Sequence, residues 1–277
     1  MNGLVWSIFV ALVALGLNAI YGLLGILNIA HGAIYAAGAI FAWYAVDFVG
    51  NFWLAFLVVP LLVAAASIPV YKAILRHTIG KDMMVGLLAT SGLLFMLTDA
   101  QLALFGGAPR TISPPIGGSV ALLGFHYPLY RFVAAAIAAA ILLAFWAFLR
   151  FTSMGVWIRS VEQSATLAKA SGVPVERVYL TIVALSAYFA ALAGVLAAPM
   201  TIVHYQMGMP LLGAAFIVIV VGGLGNLGGA VVAAAIIGVG RGVLSVFITP
   251  TYAEVAAIAL ALPILVLRPH GLFGGRS

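Results

Sequence analysis

The longest stretches of this chain without a charged residue are long enough to cross a membrane, some of them more than once. Residues 1–46 contain no Asp, Glu, Lys or Arg, and neither do residues 48–71 or 178–240. Because about 20 apolar residues in a helix cross the hydrocarbon core of a bilayer, these runs can hold two, one and three crossings. Only 6% of the 277 residues are charged, against roughly 25% in a soluble domain. The sequence therefore predicts an all-α polytopic membrane protein and excludes an ordinary soluble enzyme.

Composition also excludes several chemistries. The chain contains no cysteine, which excludes disulfides, thiol catalysis and iron–sulfur centres. Its five histidines are scattered without metal-ligand spacing, so we predict no metal site, no catalytic residue and no cofactor in this chain. The longest polar stretch, residues 150–177, is shorter than the about 50 residues that a folded domain needs. Any energy source is therefore expected on other subunits.

Charges, prolines and polar clusters divide the chain into nine candidate membrane helices. We predict them at about residues 4–27, 32–49, 53–72, 84–105, 129–149, 179–199, 209–225, 228–248 and 252–267. With soft boundaries, about eight or nine transmembrane helices are expected, each in contact with the lipid bilayer or with its neighbours.

The distribution of basic residues predicts the orientation. Nine of the twelve Lys and Arg residues lie in the segments 72–81, 150–177 and 268–276, and basic residues concentrate in cytoplasmic loops. The net charge of +6 is therefore interpreted as a mark of the cytoplasmic loops. No nucleic-acid partner is expected. Three spans before the first segment place the N-terminus outside, and the C-terminus is cytoplasmic. A broken segment around residues 28–32 would instead leave eight spans and reverse the N-terminal side.

The order of the spans indicates an inverted repeat within a single membrane domain. Repeat one covers about residues 4–105 and repeat two about 179–267, separated by a linking helix at 129–149 and a cytoplasmic loop at 150–177. Transporters of this design hold their substrate path at the interface between repeats. Both repeats place a His and a Gly before a helix rich in small residues, in IAHGAIYAAG and VHYQMGMPLLG.

Two polar residues, Asn28 and His31, lie between the first two predicted spans in the sequence LNIAHG. Polar side chains are costly in lipid, so these two are expected to face protein or a water-filled path. The alternative is structural: Asn28 would cap the second helix, and His31 would bond a neighbouring backbone group. The residues alone leave both interpretations open.

The second basic loop contains a short helix pattern between residues 161 and 170. Val161, Ala165 and Ala168 share one face, and Gly172 followed by Pro174 ends the helix. A small-residue helix of this kind can fit a groove on another protein, although an ordinary connecting helix has the same periodicity.

This loop, RSVEQSATLAKASGVPVERV at residues 159–178, resembles the EAA-like cytoplasmic loop of ABC importer permeases. Three further stretches are similar to the branched-chain (hydrophobic) amino acid permeases of the Liv type. They are GLNAIYGLLGILNIAHG at 16–32, FIVIVVGGLGNLGG at 216–229 and LRPHGLFG at 267–274. Four spaced motifs in order, over essentially the whole chain, make this resemblance specific, and the length resembles the shorter of the two permeases in such systems.

The resemblance implies an ATP-driven importer of the bacterial inner membrane that carries branched-chain or other hydrophobic amino acids. Its expected partners are two cytoplasmic ABC ATPase subunits, which would bind ATP and Mg, a second permease subunit in a heterodimer, and a periplasmic solute-binding protein. The same framework also resembles permeases for urea or short amides. A passive channel or ion-coupled carrier without an ATPase is the alternative from another class.

The resemblance also assigns residues to two regions. The ATPase-coupling loop would contain Arg159, Glu162, Gln163, Ala165, Ala168 and Gly172. Candidates for the translocation path are Asn28, His31, Gly32, Tyr35 and Thr90. Gln163 and Ser164 stand where the family frequently has an acidic residue after Glu162, which puts a specific salt bridge there in doubt.

Overall fold

A computed structural model describes residues 2–122, 125–259, 261–268 and 271–274. Within these residues the chain forms twelve α-helices, one β-hairpin and two short 3-10 turns. The helices are α1 (Asn2–Leu24), α2 (His31–Val49), α3 (Phe52–Ala73), α4 (Met83–Phe105), α5 (Leu129–Phe151), α6 (Ser153–Gln163), α7 (Ala165–Ala170), α8 (Val175–Ala197), α9 (Gly208–Gly222), α10 (Leu227–Phe247), α11 (Pro250–Ala259) and α12 (Ala261–Leu267). Strands β1 (Ser119–Leu122) and β2 (Phe125–Pro128) pair antiparallel, and the 3-10 turns are Leu75–His77 and Ala198–Met200.

The predicted all-α polytopic class is confirmed. In the described part of the chain, seven helices are long and apolar enough to cross a membrane, namely α1 to α5, α8 and α10. The span predicted at 209–225 is a shorter helix, the 15-residue α9. The span predicted at 252–267 falls on α11 and α12, which lie on either side of residue 260, a position outside the described residues. Seven full-length helices, α9 and this pair together occupy the nine predicted positions. The segment between the spans predicted at 84–105 and 129–149 contains the hairpin, for which no strand was predicted.

Local sequence explains where several helices begin. Asn51 precedes α3, Asp82 precedes α4 and Asn226 precedes α10, and each side chain accepts a hydrogen bond from the first turn of its helix. Such caps satisfy backbone N–H groups that have no partner inside the helix. Between α2 and α3, Gly50 adopts a left-handed conformation with φ 71°, which ends α2 and lets α3 return beside it.

The helix contacts follow a pseudo-symmetric pattern. The two most extensive interfaces are α3 with α8 and α1 with α10. Exchanging α1 with α8, α2 with α9 and α3 with α10 converts the first interface into the second. The same exchange relates α2–α8 to α1–α9 and α2–α3 to α9–α10, and all four interfaces are present. The inverted repeat expected from the sequence would produce this pattern, with α1 and α8 at the centre of the bundle.

The described chain has two distinct ends. The basic end is formed by the segments 72–82 and 150–177, where Arg76 Nε lies 3.8 Å from Glu176 Oε1. The hairpin end carries β1 and β2. Helix α1 begins at the hairpin end, because Trp6 lines a cavity there together with Arg131, which follows the hairpin directly at the start of α5. The N-terminal end of α1 therefore lies opposite the basic end.

Candidate functional site

The connection between α1 and α2 is a break in the helical structure. Helix α1 ends at Leu24, Gly25 has φ 68°, and residues 25–30 are outside any helix before α2 begins at His31. The fully buried Thr90 donates to the Leu27 carbonyl oxygen at 3.0 Å. Because α4 provides this bond, the broken segment is held against α4 inside the protein.

His31 fixes the start of α2 to the middle of α1. Its side chain is fully buried, and Nε2 lies 3.1 Å from the Val13 carbonyl oxygen. Since a carbonyl only accepts, Nε2 carries the proton and Nδ1 is left as an acceptor, buried without a hydrogen-bond partner in the structure. Gly16 leaves room for the ring, because a Cβ there would lie 3.1 Å from His31 Cε1. The hydrogen bond from His31 to a backbone group, which the structural interpretation of this residue predicted, is therefore present.

Gly32 lies where α2 crosses α9. A Cβ on Gly32 would lie 3.0 Å from the carbonyl oxygen of Gly208, and a Cβ on Gly208 would overlap the carbonyl oxygen of Gly32. Two glycines let the backbones touch, as in tightly packed membrane helices. The starts of α2 and α9 therefore meet, and these two helices correspond under the exchange of helices described above.

A cavity of about 590 Å³ lies beside the break, between α2, α3, α4 and α8. Its described lining is aliphatic apart from Phe41 and the polar residues Asn28, Asn51, Ser67 and Ser186. Ser67 and Ser186 donate to backbone carbonyl groups, and Asn51 caps α3. Asn28 is 3% exposed, and its Oδ1 has no hydrogen-bond partner. The helix α2 has Ala30 at its N-cap position without a side-chain capping bond, so the suggestion that Asn28 caps α2 is wrong.

The five predicted path residues thus lie in three places. Asn28 lines the aliphatic cavity, whereas His31, Gly32 and Thr90 hold the break and the crossing. Tyr35 lines a different cavity of about 450 Å³ at the hairpin end. Gly208 was missed by sequence reasoning, although its stretch had been compared with that of Gly32.

The four sequence motifs meet at the basic end. Asn18 Oδ1 accepts a hydrogen bond from the backbone N–H of Gly225 at 2.7 Å. A Cβ on Gly22 would lie 3.4 Å from Glu162 Oε1. Asn226 Nδ2 donates to the Phe273 carbonyl oxygen at 2.9 Å. Motifs that are far apart in sequence therefore form one surface, which no local pattern could have indicated.

The coupling loop differs from its prediction. The single helix proposed over residues 161–170 is wrong, because Ser164 is extended (φ −163°, ψ 107°) and caps a new helix by accepting from Leu167 N–H. The chain therefore turns between α6 and α7. Pro269 and His270 of the fourth motif lie outside the described residues.

The face proposed for docking turns inward. Val161 and Ala168 are buried and Ala165 is half-buried in a cluster with Ile20 of α1, while Leu167 is 69% exposed. The exposed side of α7 is therefore its Leu167 side.

The remaining coupling candidates lie on α6 and just after the end of α7. Gln163 is exposed, Gly172 has φ 83°, and Arg159 donates to the Leu149 carbonyl oxygen. Partial burial raises the pKa of Glu162, and the nearby charge of Arg159 opposes this shift. Among the described residues, no group of three or more His, Cys, Asp or Glu side chains could hold a metal ion.

Comparison with known proteins agrees with this architecture. A family model described as the permease component of branched-chain amino acid transport systems matches residues 1–267. The permease protein LivH of the high-affinity branched-chain amino acid transport system of Salmonella typhimurium is 25% identical, covering 99% of this chain and 94% of the relative. The corresponding BraD protein of Pseudomonas aeruginosa is 23% identical, with 99% and 94% covered.

A solved structure has a similar fold. PsaBC from Streptococcus pneumoniae in complex with Fab gives a TM-score of 0.50 at 20% identity, covering 96% of this chain and 89% of that chain. At this identity the similarity concerns the fold alone. The family model, in contrast, covers nearly every residue from the first helix to the last. The chain therefore belongs to the family of permease components of branched-chain amino acid transport systems.

Proposed function

We propose that this chain is the membrane-spanning subunit of an ATP-driven importer that translocates branched-chain or other hydrophobic amino acids. The observation that carries the proposal is the aliphatic cavity beside the break between α1 and α2, in a chain of this family. Its volume of about 590 Å³ lies within the roughly 300–1,000 Å³ of ligand sites. An aliphatic lining favours a substrate with an apolar side chain over urea, which would need several polar partners.

The proposed assembly contains this chain, a second permease subunit, two cytoplasmic ABC ATPases and a periplasmic binding protein. ATP and Mg would bind to the ATPases, so the chain itself is not an enzyme. It would lie in the bacterial inner membrane with the basic end cytoplasmic, since basic residues concentrate on that side. The described tail residues 271–274 bond to residues 221–226 near the basic end, which favours a cytoplasmic C-terminus.

The chain is proposed to work as one permease domain with two repeats, about residues 4–105 and 179–267. The linking helix 129–149 and the coupling loop 150–177 lie between them. Glu162 lies close to Gly22 near the end of α1, since a Cβ on Gly22 would be 3.4 Å from Glu162 Oε1, and the break begins directly after α1. A displacement of α6 by an ATPase would therefore be felt beside the broken segment. Arg159, Gln163 and Gly172 would border the docking surface around Leu167.

Within the cavity, Asn28 would supply the polar contact for the substrate. Its Oδ1 is a buried acceptor without a partner, and an ammonium group could donate to it. The remaining walls would hold the apolar side chain. His31, Gly32 and Thr90 would act by positioning the break, and alternating access would follow from rocking of the two repeats.

Uptake by reconstituted vesicles tests this proposal. When the chain is reconstituted with a second permease subunit, two ABC ATPases and a binding protein, leucine uptake should require ATP and cease when either ATPase is omitted. Leucine uptake that persists without ATP would favour a passive channel or an ion-coupled carrier. ATP-dependent uptake of urea with no uptake of leucine would favour the amide permease.

A further inference from the structure

The tail that follows α12 supplies the cap at the end of α9. The last carbonyl groups of a helix have no partner inside it, and the residues that follow directly in the chain commonly provide the partners. Here the N–H group of Leu272 donates to the Val221 carbonyl oxygen at 2.7 Å, and the N–H group of Phe273 donates to the Gly222 carbonyl oxygen at 3.2 Å. The end of α9 is therefore held by residues from much later in the sequence.

The same tail is joined to the start of α10 through Asn226. Asn226 Oδ1 accepts from the Gly229 N–H at 2.8 Å, which caps α10, and its Nδ2 donates to the Phe273 carbonyl oxygen at 2.9 Å. A Cβ on Gly223 would lie 2.7 Å from the backbone nitrogen of Gly274, so the turn and the tail touch through their backbones. Residues 271–274, which we name the tail brace, therefore hold the turn between α9 and α10 from both sides.

The turn between α2 and α3 has a similar design without a brace. It corresponds to the α9–α10 turn under the exchange of helices described above. Each turn has a glycine with positive φ at the end of the first helix and an asparagine that caps the second. No described atom lies within 4 Å of a Cβ on Gly50, and Asn51 accepts from the N–H groups of its own helix. A turn of this design forms without a tail, so the tail brace serves the position of the α9–α10 turn.

The braced turn lies against the end of α1. The Gly225 N–H donates to Asn18 Oδ1 at 2.7 Å, and the Asn18 side chain is fully buried. A Cβ on Gly22 would lie 3.3 Å from the Gly225 Cα, so the two backbones are closely packed. Helix α1 and the α9–α10 turn belong to different proposed repeats. This contact therefore joins the two repeats at the basic end.

The end of α1 separates two cavities. Tyr21 and Gly22 line a cavity of about 500 Å³ at the basic end, together with Glu162 and Leu224. The neighbouring residue, Ile20, is 1% exposed and lines the aliphatic cavity of about 590 Å³ beside the break. A movement of the end of α1 away from the α9–α10 turn would therefore connect the aliphatic cavity with the basic end.

We infer that the tail brace keeps the basic end of the path closed, by holding the α9–α10 turn against α1. Loosening the brace lets the turn leave α1 more often, and the aliphatic cavity then opens towards the basic end without action of the ATPases. The inference rests on the proposed function in one respect, that the aliphatic cavity belongs to the path. It also gives the motifs at 216–229 and 267–274 a common role.

Thiol labelling measures this opening. The chain has no cysteine, so Ile20→Cys introduces a single reporter thiol. A negatively charged, membrane-impermeant methanethiosulfonate is added to the full complex in vesicles, from the basic side and without ATP. Asn226→Asp keeps the acceptor that caps α10 and loses the donor to the Phe273 carbonyl oxygen. It should raise the labelling rate about fivefold, the effect of one lost hydrogen bond on the opening equilibrium, although its new charge repels the reagent.

The α2–α3 turn provides the matched control. Asn51→Asp makes the same chemical change where no tail is bound, so the labelling rate should equal that of the Ile20→Cys parent.

A second pair of variants tests the brace through its backbone contacts. A Cβ on Gly271 would lie 2.7 Å from both the Gly223 nitrogen and the Val220 carbonyl oxygen, and Gly271 has φ 82°. Gly271→Ala should therefore displace the tail and raise the labelling rate more than Asn226→Asp does. Gly50→Ala is the control, because Gly50 has a similar φ of 71° but open space around its added Cβ. It imposes the same backbone strain and should leave labelling unchanged.

The inference is overturned if Asn226→Asp and Gly271→Ala both keep the labelling rate of the parent. It is also overturned if each control raises the rate as much as its tail variant does, because general loosening of the bundle then explains the increase. A complex that carries no hydrophobic amino acid refutes the proposed function instead. The labelling needs no substrate, so it still decides whether the tail brace closes the basic end.

Discussion

The connection between α1 and α2 and the connection between α8 and α9 lead to the same helix crossing but are built differently. In the first connection, residues 25–30 are tied by buried side chains, with His31 bonded to Val13 and Thr90 to Leu27. In the second connection, residues 201–207 are tied by backbone bonds between Arg110 and Val203, at 2.9 and 2.8 Å. Buried polar bonds specify one geometry, whereas a bridge to an exposed loop opens at lower cost. We therefore expect the first connection to be the more rigid and the second to open more easily.

The largest effect is expected at the crossing of α2 and α9, to which both connections lead. Gly208→Val should prevent folding, with a loss of about 4 kcal/mol or more, because its Cβ would overlap the Gly32 carbonyl oxygen. Gly213→Ala is the matched control on α9, since no atom lies within 4 Å of its added Cβ. Size-exclusion chromatography and thermal unfolding in detergent measure both variants. A Gly208→Val protein with the wild-type melting temperature would show that the backbones can separate.

The second largest effect is expected at Asn28, on uptake rather than on stability. Asn28→Ala should reduce kcat/KM for uptake about tenfold if Asn28 contacts the substrate, since one polar contact contributes about 1.4 kcal/mol. Its melting temperature should stay the same or rise, because the variant removes a buried acceptor that has no partner. Ser67→Ala changes the same cavity at a hydroxyl that is already satisfied. Equal uptake by Asn28→Ala and Ser67→Ala would assign Asn28 a structural role.

The polar residues of the first connection could be recognised in the sequence. The helix crossing at Gly208 could not. Polar residues such as Asn28 and His31 in an apolar run signal a cost in lipid that only protein contacts or water can offset. Nothing local shows that Gly208 meets Gly32, because that contact joins repeats 176 positions apart. The turn at Ser164 was missed for a related reason: a serine inside a helical period can cap a new helix as easily as continue the old one.

A smaller effect tests the rigid connection by itself. Thr90→Val keeps the side-chain shape and removes the bond to the Leu27 carbonyl oxygen, with an expected loss of about 1 kcal/mol. Amide hydrogen exchange should become faster at residues 25–30 and stay unchanged at 201–207. Thr98→Val, on the same helix, is the control. Unchanged exchange at residues 25–30 would mean that other contacts are enough to hold the break.

The smallest effect is expected at the movable connection. Arg110→Pro removes the backbone N–H that bonds the Val203 carbonyl oxygen at 2.9 Å, with a loss of about 0.5–1 kcal/mol. Arg110→Ala keeps that N–H and loses only the contact of the guanidinium with the Trp43 ring, 4.7 Å from its centroid. Exchange should therefore increase at residues 201–207 in the proline variant and not in the alanine variant. If the proline variant also loosens residues 25–30, the two connections move together, and the distinction between a rigid and a movable repeat fails.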